Sequence, residues 1–272
     1  MNAIIVIPIY KKQPDANEIL SLRQCCKILH RYDICLVCPE NLNTTPYEKI
    51  ADKKFIIERF IPSFFKGIDG YNRLMTNMYF YKRFENYDYM LIYQLDAWVF
   101  SDKLEEWCQK GYDYVGAPWF ENYLAYEDGC ALWNCGNGGL SLRKIAKFIE
   151  ITNPKARVMT TSQILKKYFR NIKTWDRGLG MLLYKNRIKS YSKKAIQIWE
   201  DAYFCNALDD TLHKLNKPTA KEAAEFAFDR SPKYLYKLLN NSLPFGCHAW
   251  EKYQYKEFWS DFIPEFKKDI II

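Results

Sequence analysis

The chain has 272 residues, 49% of them hydrophobic, and a net charge of +8. A chain of this length buries most of the surface it exposes when unfolded, so a packed core is expected and wholesale disorder is excluded. The charge suits a phosphate-rich ligand, an anionic membrane surface or nucleic acid. The basic residues are spread along the sequence without the dense stripe of a nucleic-acid binder, so no nucleic-acid partner is expected.

Residues 3–9 are a continuous apolar run, the pattern of a buried parallel strand. Helical apolar spacing follows over 16–29, at Ile19, Leu20, Leu22 and Cys26. A second buried strand covers 33–38 and stops at Pro39, and a weaker one lies at 55–57. This strand–helix–strand alternation predicts βαβ units and a doubly wound sheet. Residues 70–84 read as one helix with Leu74, Met78 and Tyr81 on one face. Residues 89–95 form the most apolar strand after the first and run straight into Asp96. Next come a strand and turn over 112–119, a glycine-rich turn at 135–139, a strand from Leu140 and a helix over 144–150. The polar, basic stretch 152–194 reads as helices and loops covering the site. Glu200 and Asp201 open a helix, with acidic residues where the helix dipole favours them. Residues 220–228 end in a short strand, and 244–250 read as a loop with His248 at its centre. No repeat or linker interrupts residues 1–272, so one domain is expected.

Nine cysteines do not form a framework. Cys35 and Cys38 have a C-x-x-C spacing but fall inside a strand-like run, and no second ligand pair on a polar turn accompanies them. The odd count, and a start without a signal-peptide pattern, predict reduced thiols and a cytoplasmic location. No apolar run approaches the roughly 20 residues that cross a bilayer. The 21 Tyr and 8 Trp suit sugar and base binding, or equally a ring-rich core. Of three histidines, His30 and His213 read as surface residues.

Four clusters could carry chemistry. In Gln94-Leu95-Asp96 an acid ends a buried strand, where open α/β sheets bind ligands. Such an Asp can hold Mg²⁺ or Mn²⁺ with phosphate oxygens completing the shell, or it can cap a helix. Gly136, Asn137, Gly138 and Gly139 allow close backbone approach to a ligand, with Arg143 on the following strand; a tight structural turn is the alternative. It lacks the Gly-Lys-Ser/Thr of a phosphate loop. Glu200-Asp201 could supply a general base, or simply a charged first turn. His248, flanked by Phe245 and Trp250, is a metal ligand or a satisfied core residue.

In this order the four clusters resemble the GT-A glycosyltransferases, which carry a D-x-D-like metal motif, a glycine-rich loop, a Glu-Asp motif opening a helix and a C-terminal metal-binding His. The wider wording, Tyr93-Gln94-Leu95-Asp96 through Gly116-Ala117-Pro118-Trp119 to Gly136-Asn137-Gly138-Gly139-Leu140-Ser141-Leu142-Arg143, is similar to a family known as a domain of unknown function with predicted glycosyltransferase activity. The resemblance implies a single-domain α/β GT-A-like fold, a doubly wound, mixed but mostly parallel sheet flanked by helices. It implies Mn²⁺ or Mg²⁺ on Asp96 and His248, with Asp201 as base and Glu200 binding the acceptor or orienting the site. Pro8, Tyr10, Gln94, Gly136, Asn137, Gly138, Gly139 and Arg143 are implied on the donor side. The implied partners are a nucleotide-sugar, foremost a UDP-sugar, and a glycan or lipid-linked acceptor. The basic surface and the lack of an export signal point to bacterial surface-polysaccharide assembly, with peripheral association at the inner face of a membrane. Gln94 departs from the motif, whose first acid is replaced here by an amide that can still bond a hydroxyl. A sugar nucleotidyltransferase would need a glycine-rich signature after the first strand, which Tyr10-Lys11-Lys12 lacks. A carbohydrate-binding or scaffold protein with a decayed site is the non-enzymatic alternative.

Overall fold

The computed structural model describes residues 1–121, 130–195 and 199–265, without the side chains of 193–195. A six-stranded sheet lies at its centre, ordered β3-β2-β1-β4-β9-β6. Its strands are β1 (Ala3–Pro8), β2 (Asp33–Pro39), β3 (Ile56–Phe60), β4 (Tyr89–Tyr93), β6 (Tyr114–Val115) and β9 (Leu140–Lys144). β1 pairs in parallel with β2 and β4, and β2 with β3. β9 runs antiparallel to both β4 and β6. This is the mixed, mostly parallel sheet that was expected. Three smaller strands, β5 (Ala97–Val99), β10 (Ala227–Phe228) and β11 (Gly246–His248), make a second sheet, and β7 (Pro118–Phe120) pairs with β8 (Leu132–Cys135).

Both faces of the main sheet are covered, as continuous apolar strands require. On β1, Ile5 and Ile7 enter one core with Leu22 and Cys25 of the helix Ala16–Ile28. Ile4 and Val6 enter the other, with Leu74, Phe80 and Phe148 from three further helices. Cys35 and Cys38 point into opposite cores, because residues three apart on a strand face opposite ways, so they cannot share a metal. All nine cysteines are unpaired. No helix among the described residues is long and apolar enough to cross a membrane.

Several elements depart from expectation. The helix foreseen over 70–84 is two, Gly67–Met75 and Met78–Lys82. Asn77 divides them: its side chain accepts from the Tyr79 N–H and caps a new start, the local competition that keeps Asn out of helix interiors. The strand foreseen over 112–119 splits at Gly116, where a Cβ would overlap the Gly136 carbonyl, so two loops meet backbone to backbone. His213 is buried rather than on the surface, with Nδ1 3.1 Å from Glu150 and Nε2 2.9 Å from the Arg157 carbonyl. The stretch 152–194 does not cover the site, since none of its described residues lines the cleft described below. It folds on its own small core of Val158, Met159, Ile164, Met181 and Ile188.

Candidate active site

A cleft of ≈ 840 Å³ opens along the carboxyl ends of β1 and β4. The topology explains how distant residues meet there. β4 delivers Gln94, Leu95 and Asp96 at its C-terminal end. β9 runs the other way, so the glycines before it lie at the same edge, and the Gln94 N–H donates to the Gly139 carbonyl at 2.9 Å. Residues 244–250 are not a loop alone: β11 pairs antiparallel with β5 and sets His248 opposite Ala97, next to Asp96. Asp96 does not cap a helix, because β5 begins directly after it.

His248 is clamped on both ring nitrogens. Nε2 lies 3.1 Å from Asp96 Oδ1 and 3.3 Å from Gln94 Oε1, and Nδ1 lies 3.2 Å from Asp229 Oδ1. Burial opposes the imidazolium, but Asp96 and Asp229 outweigh it and raise His248 to about 10. Burial likewise opposes the Asp96 carboxylate, and His248 and Lys252 hold its pKa well below the usual range. Lys252 Nζ is 3.2 Å from Asp96 Oδ2 and stays largely exposed.

These residues fit a hard divalent cation. Two cis ligands at about 2.1 Å in octahedral geometry are about 3 Å apart, close to the 3.1 Å between Asp96 Oδ1 and His248 Nε2. Asp229 fixes the far nitrogen, as second carboxylates do behind metal-bound imidazoles. Gly139 is pressed against the pair: a Cβ there would overlap the His248 ring. Among the described residues no group of three or more His, Cys, Asp or Glu is placed to hold a metal ion. Asp229 was missed in the sequence, although it follows the apolar Phe226-Ala227-Phe228 as Asp96 follows its strand.

On the other side of the glycines stands the acidic pair. Glu200 and Asp201 open a single helical turn, Glu200–Ala202, that widens into a π-helical turn over Tyr203–Ala207. Asp201 lines the cleft and accepts from the Gly138 N–H at 3.0 Å and the Ala202 N–H at 2.7 Å. Burial first, then the neighbouring Glu200 charge, push Asp201 up to about 7 against those two donors. Asn137 is left-handed at φ 51 and its side chain accepts from the Gly139 N–H, holding the loop open between the two acidic groups.

Two residues expected on the donor are elsewhere. Arg143 does not line the cleft and is fully buried beneath it. Its Nη2 donates to Glu200 Oε1 at 3.0 Å, Nη1 to the Tyr81 hydroxyl at 2.9 Å, and Nε to Ser141 Oγ at 3.1 Å. The strand places it there because β9 residues alternate between faces, and Arg143 falls on the face covered by Tyr81 and Phe148. Gly136 is also outside the cleft wall; a Cβ there would overlap the Trp119 ring, so its role is close packing. Pro8, Tyr10, Gln94, Asn137, Gly138 and Gly139 do line the cleft. Glu200 is buried, with one carboxylate oxygen committed to Arg143 and its N–H held by Asn72 Oδ1 at 3.0 Å.

The family described as "Protein of unknown function (DUF5672)" matches residues 54–248. No curated protein matches the chain. Among solved structures, it is similar to the galactosyltransferase LgtC in complex with donor and acceptor sugar analogs, at 13% identity over 90% of this chain and 86% of that one, with a TM-score of 0.46. It is also similar to mouse xyloside xylosyltransferase 1, at 8% identity over 91% and 97% of the two chains and a TM-score of 0.44. Core-mannan synthase A from Aspergillus fumigatus, in its Mn/GDP form, shares 10% identity over 80% and 77%, with a TM-score of 0.39.

Proposed function

This chain belongs to the DUF5672 family, and we propose that it is a metal-dependent, inverting glycosyltransferase. Its donor is a nucleotide-sugar, foremost a UDP-sugar, and its acceptor a hydroxyl of a glycan or lipid-linked glycan in bacterial surface-polysaccharide assembly. One observation carries the reading: two adjacent glycines bridge a cation-ready pair and a base. Gly139 touches His248 beside Asp96, and Gly138 donates to Asp201.

Asp96 and His248 would hold the cation, Mn²⁺ or Mg²⁺, close to the donor diphosphate. Bound there, the ion supplies Lewis-acid stabilisation of the charge that builds on the leaving diphosphate. Lys252 turns its ammonium from Asp96 to the same phosphates. Gly138 and Gly139 line the cleft between the two groups, and their missing side chains make room for Glu200 and His248 on either side. Asp201 takes the proton of the acceptor hydroxyl as its oxygen bonds the anomeric carbon and the bond to the diphosphate breaks. Attack opposite the leaving group inverts that carbon. Glu200, Arg143 and Asn72 fix the backbone that carries Asp201.

The test is a panel of nucleotide-sugars assayed for binding and hydrolysis with and without Mn²⁺. At least one donor is expected to bind and to lose its sugar slowly to water, with the metal required. A panel with no metal-dependent binding at all would place the chain outside this chemistry.

A further inference from the structure

Outside the cleft wall, the helical region 165–189 presents exposed apolar side chains. Ile172, Trp175, Leu179, Leu182 and Leu183 follow one another along a 3-10 turn (Ile172–Thr174), the helix Trp175–Gly180 and a π-helical turn (Met181–Lys185). All five are exposed, Ile172 and Leu183 at 76% each. The stripe does not lack a core of its own to join: Ile164, Met181 and Ile188 of the same region are buried beneath it. Gly178 lets this layer close tightly, since a Cβ there would overlap Phe169. The outward residues are therefore surplus to folding.

The charge around them is concentrated. Residues 165–189 hold eight lysines and arginines against one acid, Asp176, a net +7. The chain's total is +8, so the rest is close to neutral at +1. All eight basic residues are exposed, and Lys167 is tied to Asp210. The sequence, read end to end, spreads its basic residues evenly; the imbalance appears only when acids are counted with them.

From this we infer that the surface of residues 165–189 docks the protein onto an anionic lipid bilayer, with the Ile172–Leu183 stripe entering the headgroup region and the basic residues meeting the lipid charge. A face with Leu and Trp on one side and Lys and Arg flanking it is the pattern of interfacial helices, and the flanking charges add affinity for anionic leaflets. A second copy of the chain is disfavoured, because a two-fold contact would set +7 against +7. Nucleic acid would meet the charge but leave four aliphatic side chains unused, as single strands bind through charge and aromatic stacking. The inference goes beyond the proposed reaction and does not depend on it, since binding to lipid needs no donor.

Co-sedimentation of the whole chain with vesicles tests it, comparing phosphatidylglycerol–phosphatidylcholine mixtures with phosphatidylcholine alone. Binding to the anionic vesicles is expected to be at least about 10-fold tighter and to weaken with salt. Ile172→Glu/Leu183→Glu and Lys173→Glu/Arg177→Glu are each expected to lower it about 10-fold or more, with melting curves like the native chain's because all four side chains are exposed. Equal binding to both vesicle types, no binding, or variants that bind as the native chain does would overturn the inference. So would a concentration-dependent dimer in sedimentation velocity that the apolar variant abolishes, because the stripe would then be covered by a second copy.

Discussion

Asp201→Asn is expected to lower sugar transfer by about 10²–10⁴-fold, the range for loss of a positioned general base, while nucleotide binding stays near native. The fold should not suffer. The raised pKa of Asp201 means that the folded protein holds a proton that the unfolded chain gives up near pH 4, so its contribution to stability is present at low pH and lost as pH rises through about 7. Removing the charge therefore leaves the melting temperature at pH 8 equal or higher, and a loss of turnover reports chemistry rather than unfolding. The proposed reaction carries a matching signature: kcat/KM of the native chain should climb with pH up to about 7 and level off above it, as the base ionises. If Asp201→Asn keeps its turnover while Glu200→Gln loses it, the base has been assigned to the wrong carboxylate.

Arg143→Met is the second large effect, and it concerns stability. The guanidinium has no exposure and is the partner of a carboxylate that is itself buried. Removing one member of such a pair strands the other's charge in the core and costs about 3–5 kcal/mol. For a chain of this size that is a fall in melting temperature of roughly 5–10 °C. Arg143→Met/Glu200→Gln should regain much of the loss, because no charge is then stranded. A single variant as stable as the native chain would show that Glu200 finds another partner, and the support given to Asp201 from below would have to be reconsidered.

Much of the scaffold was legible in the sequence because buried parallel strands announce themselves as apolar runs. β1, β2 and β4 start within a residue of where those runs do. The proposed metal pair was legible for different reasons at each half. Asp96 follows from a rule about strand ends, whereas His248 is local nonsense until β11 is known to pair with β5. Nothing in Phe245-Gly246-Cys247-His248 states that pairing, which joins segments some 150 residues apart. Asp229 obeys the same strand-end rule as Asp96; the short strand closing 220–228 is legible, but the acid that follows it does not stand out in the sequence without the pairing of β10 with β11. Arg143 shows the opposite failure. An arginine after a glycine loop invites a phosphate role, and only strand alternation against two covered faces sends it into the core. Gly136 was grouped with Gly138 and Gly139 by spacing alone, yet Trp119 uses it for packing, and no local signal separates the three.

The central claim is that Asp96 and His248 carry a divalent cation onto which a nucleotide diphosphate binds, and calorimetric titration of UDP tests it most directly. The native chain is titrated in saturating Mn²⁺ and again in EDTA, beside Asp96→Asn in Mn²⁺. The account predicts that UDP binds the native chain at least about 10-fold tighter with the metal, in line with metal-bridged phosphate sites, and that Asp96→Asn in Mn²⁺ falls back to the affinity measured in EDTA. Equal native affinity with and without metal, or an Asp96→Asn variant that retains the full metal effect, would contradict it.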